Sequence, residues 1–344
     1  MVDIQKLIRP SVRNLKPYRS ARDEFKGSAS VWLDANENPN NTGLNRYPDP
    51  LQWKLKARIS ELKNVPKESI FLGNGSDEAI DLLFRAFCEP RKGKAMICSP
   101  TYGMYQVSAD INNVEVVDVP LTADWQLNLE AIESQFSNPS IKLLFICSPN
   151  NPTGNCMDPK DVLSLASNFN GLVVVDEAYI DFAEQESFTN ELQGHNNFVV
   201  LQTLSKAWGL AGIRLGMAFA NTEVIDVLNR IKPPYNVNQL TQEVALKELA
   251  DETGFKKEVE TILSERTRLI KELSQLKNVL EIYPSDANFL LVKFREPKTV
   301  YDALTEKGIV VRDRSKVAEG CLRITVGTEA ENSQLIIELK RLQS

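Results

Sequence analysis

Between about residue 70 and residue 220, short apolar runs alternate with segments whose apolar positions recur every three or four residues. The runs are Ile97, Val114 to Val119, Leu143 to Cys147, Leu172 to Val175, Phe198 to Leu201 and Leu215 to Ala220. Runs this short, rich in β-branched residues and bounded by turn formers, predict strands buried on both faces. Their alternation with helical segments predicts an α/β fold, a mainly parallel sheet with helices on both faces. One strand should be reversed: the link from the Phe198 run to Leu215, residues 202–214, is short for a parallel crossover, which usually carries a helix.

Pro233-Pro234 breaks this pattern. Phe255, Val259, Ile262, Leu263, Leu269, Ile270, Leu273 and Leu276 then follow a helical period, predicting a long helix that crosses between domains. Asn288 to Phe294, Ile309 to Arg312 and Cys321 to Val326 read as strands and Leu335 to Leu342 as a closing helix, a smaller α+β domain. Residues 1–30 show no clear period and contain Pro10, Pro17 and Gly27, as expected of an arm lying on other structure. The expected division is therefore an arm at 1–30, a large domain at 31–235, and the crossing helix with the small domain at 236–344.

Composition narrows the chemistry. With 344 residues, 42% apolar and 25% charged, the chain can bury a large core. A formal charge of -6 without a basic stripe argues against nucleic acid as a partner. Five scattered cysteines without a CxxC pair favour neither a disulfide framework nor a zinc site, and a reducing, cytoplasmic setting is expected. No apolar run reaches the roughly 18 residues of a membrane span. His195 is the single histidine, so no His-ligated metal is expected and proton transfer must use another base.

The candidate base is Lys206, in Thr203-Leu204-Ser205-Lys206-Ala207-Trp208-Gly209, with Arg214 eight residues on. The Leu172 run ends in Asp176-Glu177-Ala178-Tyr179, and the Leu143 run empties into Ser148-Pro149-Asn150-Asn151-Pro152-Thr153-Gly154. Ligands of open α/β sheets sit at such strand ends, where an amide, an acid and an amine are delivered together. Those three share a use in pyridoxal 5'-phosphate (PLP) chemistry: the lysine forms the Schiff base, the aspartate keeps the pyridine nitrogen protonated, and the asparagine with a tyrosine bonds the phenolic oxygen.

A phosphate needs donors, and Gly73-Asn74-Gly75-Ser76-Asp77 precedes an amphipathic stretch in which Ile80, Leu83, Phe84 and Phe87 share a face. The unpaired amides of such a helix start suit an anion, although Ser76, Asp77 and Glu78 would also stabilise any helix start. Arg214 and Ser205 could complete the clamp. Tyr102, in Pro100-Thr101-Tyr102-Gly103-Met104-Tyr105, is the candidate to stack on a flat ring. Arg323 alternates with apolar neighbours in Leu322-Arg323-Ile324-Thr325-Val326, and Arg312 lies on a second strand; both could read a carboxylate or phosphate.

Together these segments resemble the fold-type I PLP-dependent aminotransferases over nearly the whole chain. Asn14-Leu15-Lys16-Pro17-Tyr18, Asn36-Glu37-Asn38-Pro39, Asn45-Arg46-Tyr47-Pro48 and Tyr235-Asn236-Val237-Asn238 add to the likeness. The resemblance implies Lys206, Asp176, Tyr179 and Asn151 as catalytic residues, and Gly75, Ser76, Asp77, Tyr102, Ser205 and Arg214 as cofactor contacts. It implies Tyr18, Asn36, Arg312 and Arg323 at the substrate, and Tyr47 reaching the cofactor phosphate from the other subunit of a homodimer. Within the family it points to the members that exchange an amino group between L-glutamate and imidazole-acetol phosphate in histidine biosynthesis. An aromatic or broad-specificity aminotransferase, a decarboxylase of phosphorylated amino acids on the same scaffold, and a PLP-binding regulatory protein are the alternatives.

Overall fold

The computed structural model describes residues 1–16, 25, 27 and 29–342. Seven strands form the larger sheet: β1 (Ile70–Asn74), β2 (Lys94–Ile97), β3 (Glu115–Asp118), β4 (Ile141–Cys147), β5 (Leu172–Asp176), β6 (Phe198–Thr203) and β7 (Leu215–Ala220). Their spatial order is β1-β7-β6-β5-β4-β2-β3. The central strands are almost continuously buried, because helices cover both faces and leave no solvent side for a polar alternation. One apolar layer gathers Phe84, Phe87, Tyr105 and Phe145, and the other gathers Met96, Phe169, Val173 and Phe219.

All neighbours from β3 to β6 are parallel, and β7 alone runs against both its neighbours. The short connection after β6 thus makes the reversal its length predicted. Because β1 is antiparallel to β7, it points the same way as β6, and the chain leaves β1, β4, β5 and β6 at one edge of the sheet. β7 begins at that same edge, with Asn74 opposite Leu215 and Thr203 opposite Gly216.

The second sheet, in the order β10-β11-β9-β8, is wholly antiparallel: β8 (Val279–Ile282), β9 (Phe289–Phe294), β10 (Arg312–Asp313) and β11 (Cys321–Thr325). Its core of Leu290, Val292, Leu322 and Ile324 also receives Leu269, Leu273 and Leu276. The helix Glu252–Leu273 supplies the first two, while its Val259 packs with Tyr179, Phe182 and Ala207 beside the larger sheet. Trp208 stacks on Phe255 at 3.9 Å between ring centroids, fastening the loop of Lys206 to this helix.

One expectation needs correction, and other elements were not foreseen. The strand foreseen at Ile309 to Arg312 shrinks to Arg312–Asp313, because Ile309 N bonds back to Leu304 O at a helix end and Val310 is exposed. β1 and β8 went unforeseen. The start of the chain carries two one-turn helices, Ile4–Leu7 and Pro10–Arg13, whose Ile4, Leu7, Ile8 and Val12 are buried against the helical layer.

Candidate active site

At the edge where β1, β4, β5 and β6 end lies a cavity of about 400 Å³. Gly75, Ser76, Asp77, Tyr102, Asn151, Asp176, Tyr179, Ser205, Lys206, Arg214, Arg312 and Arg323 all line it. Tyr47 and Asn36 do not. They line a separate hollow with Leu44, Asn238 and Leu240, where Tyr47 stacks on Tyr235 at 4.4 Å. Tyr18 lies outside the described residues.

Asp176, the last residue of β5, is buried. Burial pushes its carboxyl up to about 6, while the Tyr105 hydroxyl and the Ala178 amide draw it down. Tyr105 donates to Oδ2 at 2.8 Å and Ala178 N to Oδ1 at 3.1 Å. Beside it, Asn151 Nδ2 donates to the Tyr179 hydroxyl at 3.4 Å, and Arg323 donates to Asn151 Oδ1. Burial raises the Tyr179 phenol and Arg323 pulls it back. The ammonium of Lys206 stands 5.5 Å from the centroid of the Tyr179 ring. Burial, then the positive charge of Arg323, lowers the lysine's proton affinity, which leaves more free amine near neutral pH.

The opposite end is built for an anion. The helix Ser76–Phe87 starts here with Gly75 as its N-cap and no side-chain cap, so its first amide hydrogens face the cavity unspent. Gly75 has φ +74°, and a side chain there would meet Arg214 Nη2 at 2.6 Å. Gly216 has no room either: a Cβ would collide with Ser76 N and the Gly75 carbonyl carbon. The two glycines bring β7 against the turn, and Arg214, itself left-handed at φ 54°, accepts from Gly75 N at 2.8 Å and turns its side chain over the helix start. Thr203 Oγ1 donates to Ser205 Oγ at 3.0 Å and steadies that hydroxyl. Asp77 is held by the Tyr102 hydroxyl at 3.0 Å and by Arg214 at 3.5 Å, which turns its charge away from acting as a free repellent. Behind the turn, Glu78 accepts from Asn74 N and from Asn236 Nδ2, bracing it from outside.

Residues 20–339 match the family described as Aminotransferase class I and II. The chain belongs to that family. Among its aminotransferase relatives, the histidinol-phosphate aminotransferase of Parabacteroides distasonis is 57% identical over the full length of both chains. That of Cytophaga hutchinsonii is 53% identical over 98% of each. Among solved structures, the histidinol-phosphate aminotransferase of Clostridium acetobutylicum superposes with a TM-score of 0.81 at 26% identity, covering 88% of this chain and 91% of that one. The Sinorhizobium meliloti aminotransferase of the same name, solved with PLP, has a TM-score of 0.79 at 23% identity, covering 87% and 84%.

Two residues of this aminotransferase site escaped the sequence reading. Tyr105 sits in the quoted aromatic motif, but only the helix Met104–Ile111 turns it under Asp176. Arg314 lines the cavity and follows Arg312 by two residues, the strand spacing that returns a side chain to the same face.

Proposed function

We propose that this aminotransferase is a PLP-dependent histidinol-phosphate transaminase, exchanging an amino group between L-glutamate and imidazole-acetol phosphate to give 2-oxoglutarate and L-histidinol phosphate. The observation that carries the reading is the meeting, in one cavity, of Lys206, buried Asp176 and the Asn151–Tyr179 pair with an uncapped helix start. Full-length relatives of that activity support the choice of substrate.

The residues fit PLP by their donor chemistry. The amides of Ser76 and Asp77, the Ser205 hydroxyl and the Arg214 guanidinium would hold the phosphate, with Gly75 letting the backbone come close to it. Asp176 would face the pyridine nitrogen, Asn151 and Tyr179 the phenolic oxygen, and the Tyr102 ring the cofactor plane. When bound, the cofactor supplies an aldehyde that links to amines and a ring that accepts electrons. Asp176, as an anion, would keep that ring's nitrogen protonated. Lys206 Nζ, its proton affinity lowered by burial and Arg323, would take the proton from the substrate Cα and deliver it to the former aldehyde carbon, on the far side of the nitrogen. Arg323, anchored on Asn151, holds the substrate anion next to that carbon, with Arg312 and Tyr18 toward the phosphate.

The same reading divides the chain into an arm (1–30), a large PLP-binding domain (31–235) and an interdomain helix with a small domain (236–344), supported by two sheets with separate cores. It also makes the protein a homodimer, in which Tyr47 serves the partner's cavity and Asn36 is a substrate residue; exposed Leu44 and Leu240 lining their hollow support this. A cytoplasmic location is proposed with it: no helix among the described residues is long and apolar enough to cross a membrane, and all five cysteines are free.

The test is a side-by-side assay of the purified protein with histidinol phosphate, phenylalanine and threonine phosphate, each with 2-oxoglutarate as acceptor. Glutamate formation fastest from histidinol phosphate is expected. A clear preference for phenylalanine, or carbon dioxide release from threonine phosphate, would replace the reading with an aromatic transaminase or a decarboxylase.

A further inference from the structure

We infer that Arg314 is a specificity-determining residue, which together with Arg312 reads the doubly charged phosphomonoester of the substrate and separates it from the uncharged alcohol. This rests on the transaminase reading above and adds a residue to it.

Five side chains lining the cavity are cationic, Lys206, Arg214, Arg312, Arg314 and Arg323, against two carboxylates, Asp77 and Asp176. The chain as a whole carries -6, so this concentration of positive charge opposes the protein's overall balance and focuses anions into the cleft. The two carboxylates are spoken for. Asp77 is engaged by Tyr102 and Arg214, and Asp176 by Tyr105 and Ala178.

The remaining three arginines stand together on the small sheet. Arg312 lies directly opposite Arg323 in the β10–β11 pairing, and Arg314 N donates to Cys321 O at 3.0 Å, extending the ladder. Cross-strand partners and residues two apart share one face, so all three guanidinium groups point to the same side. Arg323 is tethered to Asn151. Among the described residues, neither the Arg312 nor the Arg314 side chain meets a hydrogen-bond acceptor or a carboxylate, and Arg314 Nε is buried without a partner. Burial, then the charges of Arg323 and Arg312, lowers the proton affinity of Arg314.

Like charges gathered without a counter-charge repel one another, and a buried guanidinium N–H without an acceptor is unfavourable. A dianion offering three oxygens relieves both. Arg323 is anchored beside the reacting centre, so Arg312 and Arg314 are left for a second, more distant anionic group. A phosphate there can accept from both guanidinium groups in charge-assisted bonds.

The experiment compares histidinol phosphate with histidinol, which differ only by the phosphate, on PLP-loaded wild type, Arg314→Gln and Arg314→Lys. The wild-type preference for histidinol phosphate in kcat/KM should fall about 10–100-fold in Arg314→Gln, mostly through KM, and recover in part with lysine. Calorimetric titration of the loaded protein with inorganic phosphate should show weaker binding by at least about tenfold in Arg314→Gln. An unchanged preference and unchanged phosphate binding would overturn the assignment. Equal losses on both substrates would overturn it as well, since they would mark Arg314 as a support for Tyr179. Failure of the wild type to transaminate histidinol phosphate would instead strike the transaminase reading itself.

Discussion

Tyr105 Oη donates to Asp176 Oδ2 at 2.8 Å, beneath the cavity floor and out of reach of solvent. The bond steadies the carboxylate and favours its ionised form, against a burial that pushes the group up to about 6. Tyr105→Phe removes that help, so the carboxyl titrates at higher pH. Since Asp176 acts as an anion in the proposed mechanism, the acid limb of kcat/KM should move upward, by about half a unit to one unit. A pH–rate profile of the variant checks this; an unmoved acid limb would detach Tyr105 from the function of Asp176.

In the proposed mechanism Lys206 contributes chemistry and almost no structure. Its side chain stands in the open cavity, and its amine makes no hydrogen bond or ion pair among the described residues. Lys206→Ala should therefore leave the melting temperature within about 2 °C of wild type. Single-turnover transamination by glutamate should fall by about 10³-fold or more. Near-normal turnover would remove Lys206 as the base.

Glu177, next to Asp176 but turned to the other side, is buried and accepts from Ser187 Oγ, Phe188 N and Gln202 Nε2. Burial lifts its carboxyl from an ordinary 4.5 to about 7. A folded value above the unfolded one means that the folded state prefers the proton. The resulting stability is complete below the unfolded value and is lost as pH rises through about 7. Glu177→Gln should abolish that loss and flatten the fall in unfolding free energy between about pH 4 and about pH 8 by about 3 kcal/mol. Gln202 Oε1, buried without a partner, can turn to accept the new amide. Urea unfolding of both proteins across this range tests it; parallel curves would show that Glu177 is ionised in the fold throughout.

Gly216 is where β7 passes closest to the turn at Gly75 and Ser76, and a methyl group there would strike Ser76 N and Gly75. Gly216→Ala should lower stability by about 1–3 kcal/mol and weaken PLP binding by about tenfold or more, since the helix start must shift. Gly212→Ala, in open space on the exposed loop nearby, serves as a control that should change neither. Equal PLP affinity in both variants would show that the turn accommodates the extra carbon.

Apolar run length made most of the larger sheet legible. β4 to β7 are buried on both faces, and a fully buried strand declares itself without any alternation to decipher. β8 did not, because Leu280 and Glu281 are exposed and the strand lies at the sheet's margin. β1 hides for another reason: its last residues, Gly73 and Asn74, carry turn chemistry that masks the preceding Ile70, Phe71 and Leu72. At the site, residues leaving strand ends were found because topology delivers them to one edge whatever the details of packing. Tyr105 needed a helix orientation, and Tyr47 and Asn36 sit in a hollow of their own, which no reading of strand ends could have separated from the cavity.

The reversed strand β7 has one more consequence. Thr203 pairs with Gly216 and Asn74 with Leu215, so the ladder works as a caliper whose two jaws are the amine of Lys206 and the guanidinium of Arg214. The span between them is set by backbone pairing, while Gly209, Ala211 and Gly212 of the intervening loop stay exposed. Slipping the ladder by a single residue would swing every side chain of β7 to the wrong face, closing the jaws on nothing while leaving each chemical group still present in the chain.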